Sequence, residues 1–288
     1  MRLLLIHGRS QGGKDPIALQ NEWLGALDRG LKKTGLSLPA GVQIDFPHYG
    51  NQLDKFVEQF ELPADPAVVP KGSPAFDEFA AFRLEVVNEM RRKEGITDAQ
   101  IQAELPPGIP VEKGPQNWAW VQAIVRLLDR HLPDVSTGTI EVFLRDVFLY
   151  TKRSEVRKAI DGIVSSKLTS DTTVVVGHSL GSVVGYNVLR AAAKNVNLYL
   201  TVGSPLGIQA IAKTLRPIGS PFTKKDRWYN AYDRRDIVAL NPLDAANFDV
   251  DPAIANNGDI DNSTDNRHGI IGYLDDAAVA KAIQAALR

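Results

Sequence analysis

The feature that most restricts the fold of this chain is a predicted strand that leads directly into a predicted helix. A serine flanked by glycines lies between the two. Residues 172–176, TTVVV, are β-branched and predict a central strand, and residues 182–193 predict a helix. The residues from 177 to 181 read GHSLG, which matches Gly-x-Ser-x-Gly. Alone, that pentapeptide also occurs in ordinary glycine-rich turns, but between a strand and a helix it is typical of a sharp turn that exposes its serine. We therefore predict that Ser179 is a nucleophile, with the Leu180 amide placed to bind an oxyanion.

Shorter runs elsewhere in the chain predict a parallel α/β sheet. Residues 3–6 form an apolar run that predicts a buried strand, Asp15 and Pro16 mark the start of a helix, and residues 42–46 predict a second strand. Further strands are predicted at residues 197–202 and 227–232, and further helices at residues 118–132, 155–168 and 277–287. This alternation predicts a three-layer α/β fold, in which a mostly parallel sheet has helices on both faces.

The stretch from residue 51 to residue 115 interrupts this alternation. Prolines punctuate it, and helices are predicted within it only at residues 75–93 and 98–104. We interpret it as a helical insertion inside a single domain of residues 1–288, because it has too little apolar mass for a core of its own. Long connections in compact domains are often functional, so a lid over a site and a plain surface excursion are both retained as hypotheses.

The composition excludes several functions. Lys and Arg number 33 against 34 Asp and Glu, and the resulting net charge of −1 argues against nucleic-acid binding, which needs a cluster of cations. The chain has no cysteine, so disulfides, thiolate-bound metals and a thiol nucleophile are excluded. No secretory leader and no apolar run of membrane-spanning length is visible, and we predict a cytoplasmic protein without a transmembrane segment. No metal or cofactor is expected, and the sequence does not indicate an oligomeric state.

A serine hydroxyl becomes a nucleophile when a base accepts its proton, and His268 is the candidate base. It lies in a polar loop before the last predicted helix, where a histidine taken alone would simply be exposed. The acid that orients this base is expected after the strand at residues 227–232, where Asp233 and Asp236 compete. Asp236 is preferred because apolar residues follow it, whereas Asp233 is placed to cap the turn. His178 is expected to point away from the serine hydroxyl.

These segments together resemble the α/β-hydrolase superfamily, and within it the lipase and carboxylesterase branches. The residues that carry the resemblance follow the order serine, acid, histidine, and they are His7-Gly8, the GHSLG motif, Gly203-Ser-Pro-Leu206, Asp236-Ile-Val238 and His268. The resemblance covers most of the chain outside residues 51–115 and implies a reduced sheet of about six strands. It also implies a triad of Ser179, His268 and Asp236 that cleaves a small-molecule or lipid ester without a cofactor. Thioesterases and amidases use the same residues, so they remain alternatives.

The resemblance further implies that the backbone amide of Arg9 is the second oxyanion donor, beside that of Leu180. Independently, the loop after the first strand faces the serine turn, and backbone donors in such a loop are preorganised. Ser10 and Tyr49 are the predicted substrate-binding residues. Ser10 is also expected to shape this loop, and for Tyr49 packing under the turn is the alternative to lining the site. The side chain of Arg9 is expected to form a surface ion pair rather than to meet an anionic group of the substrate.

Two functions of other classes compete with this one. Residues 8–15, GRSQGGKD, nearly match a phosphate-binding P-loop between a strand and a helix. Asp15 replaces the hydroxyl residue that would hold magnesium, and its carboxylate would repel phosphates, which makes nucleotide binding the weaker hypothesis. The third hypothesis is a hydrolase fold that binds a ligand without catalysis, against which the intact triad argues.

Overall fold

A parallel sheet of six strands forms the centre of the structure, a computed structural model that describes residues 1–60, 74–105, 118–131, 137–192 and 196–288. The strands are β1 (Arg2–Ile6), β2 (Gln43–Asp45), β3 (Thr172–His178), β4 (Leu198–Val202), β5 (Trp228–Ala231) and β6 (Ala255–Asn257). Their order across the sheet is β2-β1-β3-β4-β5-β6, and every pairing of neighbouring strands is parallel. The predicted α/β class is confirmed, with a sheet that is parallel throughout.

Helices cover both faces of the sheet and complete the three predicted layers. They are α1 (Pro16–Lys32), α2 (Gly50–Phe60), α3 (Pro74–Lys93), α4 (Asp98–Ala103), α5 (Trp118–His131), α6 (Thr137–Lys152), α7 (Ser154–Ser165), α8 (Leu180–Ala191), α9 (Gln209–Ala212), α10 (Ile270–Leu274) and α11 (Ala277–Ala286). Buried residues of α1, α10 and α11 pack on one face, and those of α2 to α9 pack on the other. Among the described helices, none combines the length and the apolarity that crossing a bilayer requires.

The position of β1 in the sheet explains why its sequence is continuously apolar. Leu4 and Ile6 belong to the larger apolar cluster on the α2–α9 face, whereas Leu3 and Leu5 pack in the cluster on the opposite face. Each side chain alternates to the other side of the strand, and both sides are covered by helices. Burial on both faces therefore favours the apolar run at residues 3–6.

The strand order places a crevice beside β1. This strand lies between β2 and β3, so the chain first extends the sheet on one side of β1 and later returns to add β3 on the other side. In open α/β sheets, the carboxyl ends of the strands at such a switch point leave room for a ligand. The loop after β1 and the turn after β3 lie on the two sides of this point.

Several elements were not predicted, namely α2, α6, α9, α10 and β6. Helix α6 is buried on most of its sides, and its buried positions include the charged Glu141 and Asp146 beside apolar residues such as Phe143 and Val147, so no clear division into an apolar and a polar face marks it in sequence. Helices α3 and α4 match the predictions at residues 75–93 and 98–104 to within one residue at each end. Residues 61–73 and 106–115 of the predicted insertion lie outside the described residues, and the lid stays a prediction.

Candidate active site

The serine turn has the geometry that its sequence predicts. Ser179 lies between β3 and α8 with φ 53° and ψ −127°, a backbone conformation that is costly for a residue with a side chain. A Cβ atom added at Gly181 would lie 2.3 Å from the carbonyl oxygen of Ile6. Only glycine permits so close an approach of α8 to β1. The turn thus holds the Ser179 side chain at the crevice beside β1.

Three side chains that are distant in sequence meet at this turn. Ser179 Oγ lies 2.9 Å from His268 Nε2, and His268 Nδ1 lies 2.7 Å from Asp236 Oδ2. All three residues are buried. A carboxylate accepts hydrogen bonds, so Nδ1 carries the proton and Nε2 is free to accept the proton of the serine hydroxyl. The arrangement can therefore draw a proton from Ser179 while the carboxylate stabilises the charged imidazole.

The structure brings Asp236, and not Asp233, to the imidazole. The second oxygen of Asp236 accepts hydrogen bonds from the amides of Val238 at 2.9 Å and Ala239 at 3.3 Å, which fixes the carboxylate. The carboxylate of Asp233 instead accepts a hydrogen bond from the amide of Asn262 at 3.0 Å, and it forms an ion pair with Arg267 at 3.3 Å. Asp233 therefore organises the loop that leads to His268, and it makes no direct contact with the ring that the structure records.

Tyr273, which sequence reasoning missed, is a further partner of the acid. Its hydroxyl donates to Asp236 Oδ2 at 2.6 Å and accepts the amide of Asp233 at 3.2 Å. Burial and the neighbouring carboxylates raise the pKa of Tyr273 well above its usual value of 10.0, so the phenol remains a donor at neutral pH. The only sequence signal is a tyrosine five residues after His268, and that spacing distinguishes no particular role.

His178 holds the loop that carries His268. Its Nε2 lies 2.7 Å from the backbone oxygen of His268, and a carbonyl only accepts, so Nε2 is the donor. Burial, together with the nearby His268 ring, lowers the pKa of His178 well below 6.5 and keeps the ring neutral. As predicted from its adjacency to Ser179, the side chain bonds elsewhere than to the serine hydroxyl. Its contact with the loop is a supporting role that the sequence did not indicate.

The loop after β1 lies directly against Ser179. A Cβ atom added at Gly8 would lie 2.9 Å from the Cβ of Ser179. His7 Nδ1 lies 2.7 Å from the carbonyl oxygen of Gly8 and donates to it. Because a trans peptide is planar, the amide of Arg9 then points opposite to that carbonyl. No backbone acceptor among the described residues bonds the amide of Arg9 or that of Leu180, so both are available to an oxyanion.

Tyr49 supports this loop from below and does not line the site. It is fully buried, its ring stacks on His7 with 4.0 Å between centroids, and its hydroxyl donates to the His7 carbonyl. Its amide donates to His7 Nε2 at 3.0 Å, and burial lowers the pKa of His7 to about 3. Of the two expectations for Tyr49, packing under the turn is the one that the structure supports. The reason is that the amide and the hydroxyl of Tyr49 both form hydrogen bonds with His7.

A small cleft of about 280 Å³ opens beside Ser179 and His268. Its described lining comes from the loop after β1, from α1 and from the His268 loop, and comprises Gly8, Arg9, Ser10, Gln11, Lys14, Leu19, Glu22, Trp23, His178, Ser179, Asn266, His268, Gly269, Ile270 and Ile271. Ser10 is exposed there, with φ 56°, and its Oγ accepts a hydrogen bond from Arg9 at 2.9 Å. The surface ion pair expected for Arg9 is wrong within the described residues, because none of them places a carboxylate oxygen within 4.0 Å of its guanidinium, whose hydrogen bond goes to this neutral hydroxyl.

The near match to a P-loop does not form an open phosphate cup. The Gly13 amide donates to Asn51 Oδ1 at 2.7 Å, and Lys14 Nζ donates to Gln11 Oε1 at 3.2 Å. Asp15 caps α1 through the amide of Ile17 at 3.0 Å, which puts a carboxylate where a phosphate would bind. The Gly13 amide is therefore engaged within the protein, and the carboxylate of Asp15 would repel a phosphate at the start of α1.

No cluster of three or more His, Asp or Glu side chains suited to a metal ion occurs in the described ranges. Comparison of the chain with known protein families, with characterised proteins and with solved structures gave no match.

Proposed function

We propose that the protein is a serine hydrolase that cleaves carboxylic esters through an acyl-enzyme. The observation that carries this proposal is the unbroken chain of hydrogen bonds from Ser179 through His268 to Asp236, at 2.9 and 2.7 Å. A serine hydroxyl is a poor nucleophile unless a base of this kind takes its proton. The strained turn and the two available amides beside it supply the other parts that acyl transfer needs.

The reaction proceeds in two halves. Ser179 Oγ attacks the ester carbonyl while His268 Nε2 takes its proton, and the amides of Leu180 and Arg9 bind the oxyanion that forms. The imidazolium then gives its proton to the leaving alcohol, and the acyl group remains on Ser179. In the second half, His268 takes a proton from water, the resulting attack releases the carboxylic acid, and the proton returns to Ser179. Asp236 stabilises the charged ring in both halves.

An ester is proposed ahead of a thioester or an amide because of the resemblance to lipases and carboxylesterases. The same groups act on all three carbonyl classes, so the choice rests on the leaving group. Parallel assays with matched 4-nitrophenyl esters, aryl thioesters and anilides of short acids separate the three. Hydrolysis of the anilide or thioester with higher kcat/KM than the ester would replace this assignment while leaving the nucleophile unchanged.

The first experiment is covalent labelling with a fluorophosphonate, followed by peptide mapping. We expect label on Ser179 and none in the Ser179→Ala variant, whose ester turnover should fall by about 10⁴-fold or more by analogy with other triads. Ser166→Ala is the matched control, because Ser166 is exposed at the end of α7 and bonds only to a nearby carbonyl. Label retained in Ser179→Ala, or ester turnover equal in both variants, would refute the proposal.

A further inference from the structure

The guanidinium of Arg9 is a partly buried cation that forms no ion pair with a carboxylate of the described residues. Among the described residues, none places a carboxylate oxygen within 4.0 Å of it, and its recorded side-chain hydrogen bond goes to the neutral Oγ of Ser10 at 2.9 Å. By contrast, Arg145 and Arg267 are paired with carboxylates at 3.2 and 3.0 Å. A charge withdrawn from water without a partner is costly. Such a charge at the edge of a cleft is suited to a ligand of opposite sign.

The nearest buried carboxylate is already committed to another cation. Asp146 on α6 lies close enough to Arg9 for their charges to interact, but its Oδ1 accepts both Nε and the terminal nitrogen of Arg145 at 3.2 Å. Burial raises the pKa of Asp146 to about 6, and Arg145 and Arg9 oppose that rise. Asp146 therefore favours a cation in this region without occupying the hydrogen-bond donors of Arg9.

The cleft beside Ser179 is small, and a second cation, Lys14, is part of its lining. Lys14 lies in the lining, exposed, and its ammonium donates to the neutral side chain of Gln11. Within the described lining, Glu22 is the one carboxylate, and it is exposed on α1. The volume of about 280 Å³ is at the small end of ligand pockets, which hold roughly 300–1,000 Å³. The cleft thus fits a short substrate better than a long acyl chain.

We propose that the side chain of Arg9, with Lys14 at the rim, binds a carboxylate carried by the substrate, so that the preferred esters are short and anionic. Arg9 then acts twice: its amide binds the oxyanion, and its guanidinium binds the charged group one side-chain length away. The planar guanidinium matches a carboxylate with two parallel hydrogen bonds. This inference rests on the proposed ester hydrolysis, and it names the class of ester.

The test uses two pairs of substrates, each with an anionic ester and a neutral ester of the same chain length. In one pair the charge is on the acyl side, with the 4-nitrophenyl monoester of glutaric acid against 4-nitrophenyl valerate. In the other it is on the alcohol side, with 4-acetoxybenzoate against 4-acetoxybenzamide. The readout is the ratio of kcat/KM for the anionic ester to kcat/KM for its neutral partner. We expect a preference for the anion in at least one pair, and a fall in that ratio of about 10- to 100-fold in Arg9→Met, as for the loss of a hydrogen bond to a charged group.

Two further variants separate local binding from general effects. Arg9→Lys keeps the charge but not the paired donors, and should restore part of the ratio. Lys32→Met is the matched control, because it removes one exposed positive charge at the far end of α1, where Lys32 pairs with Asp28. A general defect of the Arg9 variants lowers both rates and leaves the ratio unchanged.

The outcomes distinguish this inference from the function on which it rests. Hydrolysis of the neutral esters with no preference for the anion in either pair, or with a ratio that Arg9→Met leaves unchanged, would overturn the inference and leave the serine hydrolase standing. If no ester is cleaved and Ser179 is not labelled, the proposed function fails first. An equal fall of the ratio in Lys32→Met would assign the preference to the overall field of the protein, which also overturns the assignment to Arg9.

Discussion

Replacing Tyr273 by phenylalanine removes one hydroxyl and tests how the acid of the site is held. The hydroxyl donates to Asp236 Oδ2 at 2.6 Å and accepts the Asp233 amide at 3.2 Å, and the residue is fully buried. A hydrogen bond to a charged group contributes about 1.5–3 kcal/mol, and leaving a buried amide without an acceptor costs about 1–3 kcal/mol. The ring itself stays, so no cavity is created. We expect the free energy of unfolding to fall by about 2.5–6 kcal/mol, measured by urea denaturation.

The same variant should lose only part of its activity. Asp236 keeps the amides of Val238 and Ala239 at 2.9 and 3.3 Å, so the imidazole remains oriented. If about 1.4 kcal/mol of the lost bond is felt in the transition state, kcat falls about tenfold. Tyr229→Phe is the matched control, since its hydroxyl accepts only a neutral hydrogen bond from Asn257 at 2.8 Å, on the sheet and away from the triad. An unfolding free energy and a kcat both equal to those of the wild type would refute the assigned role of Tyr273.

Three further predictions concern the acid, the oxyanion loop and the response to pH. Asp236→Asn should lower kcat by about 10⁴-fold in an ester assay, whereas Asp233→Asn should mainly lower the denaturation midpoint, and the reverse pattern would exchange their roles. Gly8→Ala places a Cβ atom 2.9 Å from the Cβ of Ser179. We expect this crowding to raise the activation free energy by about 1.4 kcal/mol or more, and so to lower kcat at least tenfold. His7 has its pKa lowered to about 3 by burial, from 6.5, so the unfolded chain takes up the proton first as the pH falls and stability is lost below pH 6.5. His7→Asn lacks this titration, so its deficit in unfolding free energy relative to the wild type should narrow by about 2.5 kcal/mol between about pH 7 and about pH 4.5. A deficit that stays constant over this range would contradict the assignment.

The sequence predicts the central part of the fold because its signals there are local. Strand β3, the serine turn and α8 are contiguous, and β-branched residues followed by Gly-x-Ser-x-Gly specify each in turn. Helix α6 was not predicted because its charged residues Glu141 and Asp146 are buried together with its apolar ones, which removes the polar face. Strand β6 was not predicted because its three residues, Ala-Asn-Asn, carry no strand preference. Its pairing with β5 supplies the hydrogen bonds that its composition does not predict.

The candidate site divides in the same way. Ser179 and His268 follow from a motif and from chain order, and the preference for Asp236 followed from the residues after it. The role of Tyr273 depends on where α10 packs. The lack of an ion pair to Arg9 among the described residues depends on which side chains the fold brings near its guanidinium. No local sequence pattern predicts the contacts of Tyr273 or of Arg9, because residues distant in sequence determine them. Side-chain partners of this kind require the three-dimensional arrangement.

The pairing of β1 with β3 has a consequence for how the protein acquires reactivity. Arg2 is in register with Thr172, so the two halves of the crevice come from opposite ends of a very long stretch of chain. Closing such a loop is slow compared with forming helices. During refolding from denaturant, helical circular dichroism should therefore recover before Ser179 becomes reactive toward a fluorophosphonate. The rate at which Ser179 becomes labelled would then report how fast β1 and β3 pair.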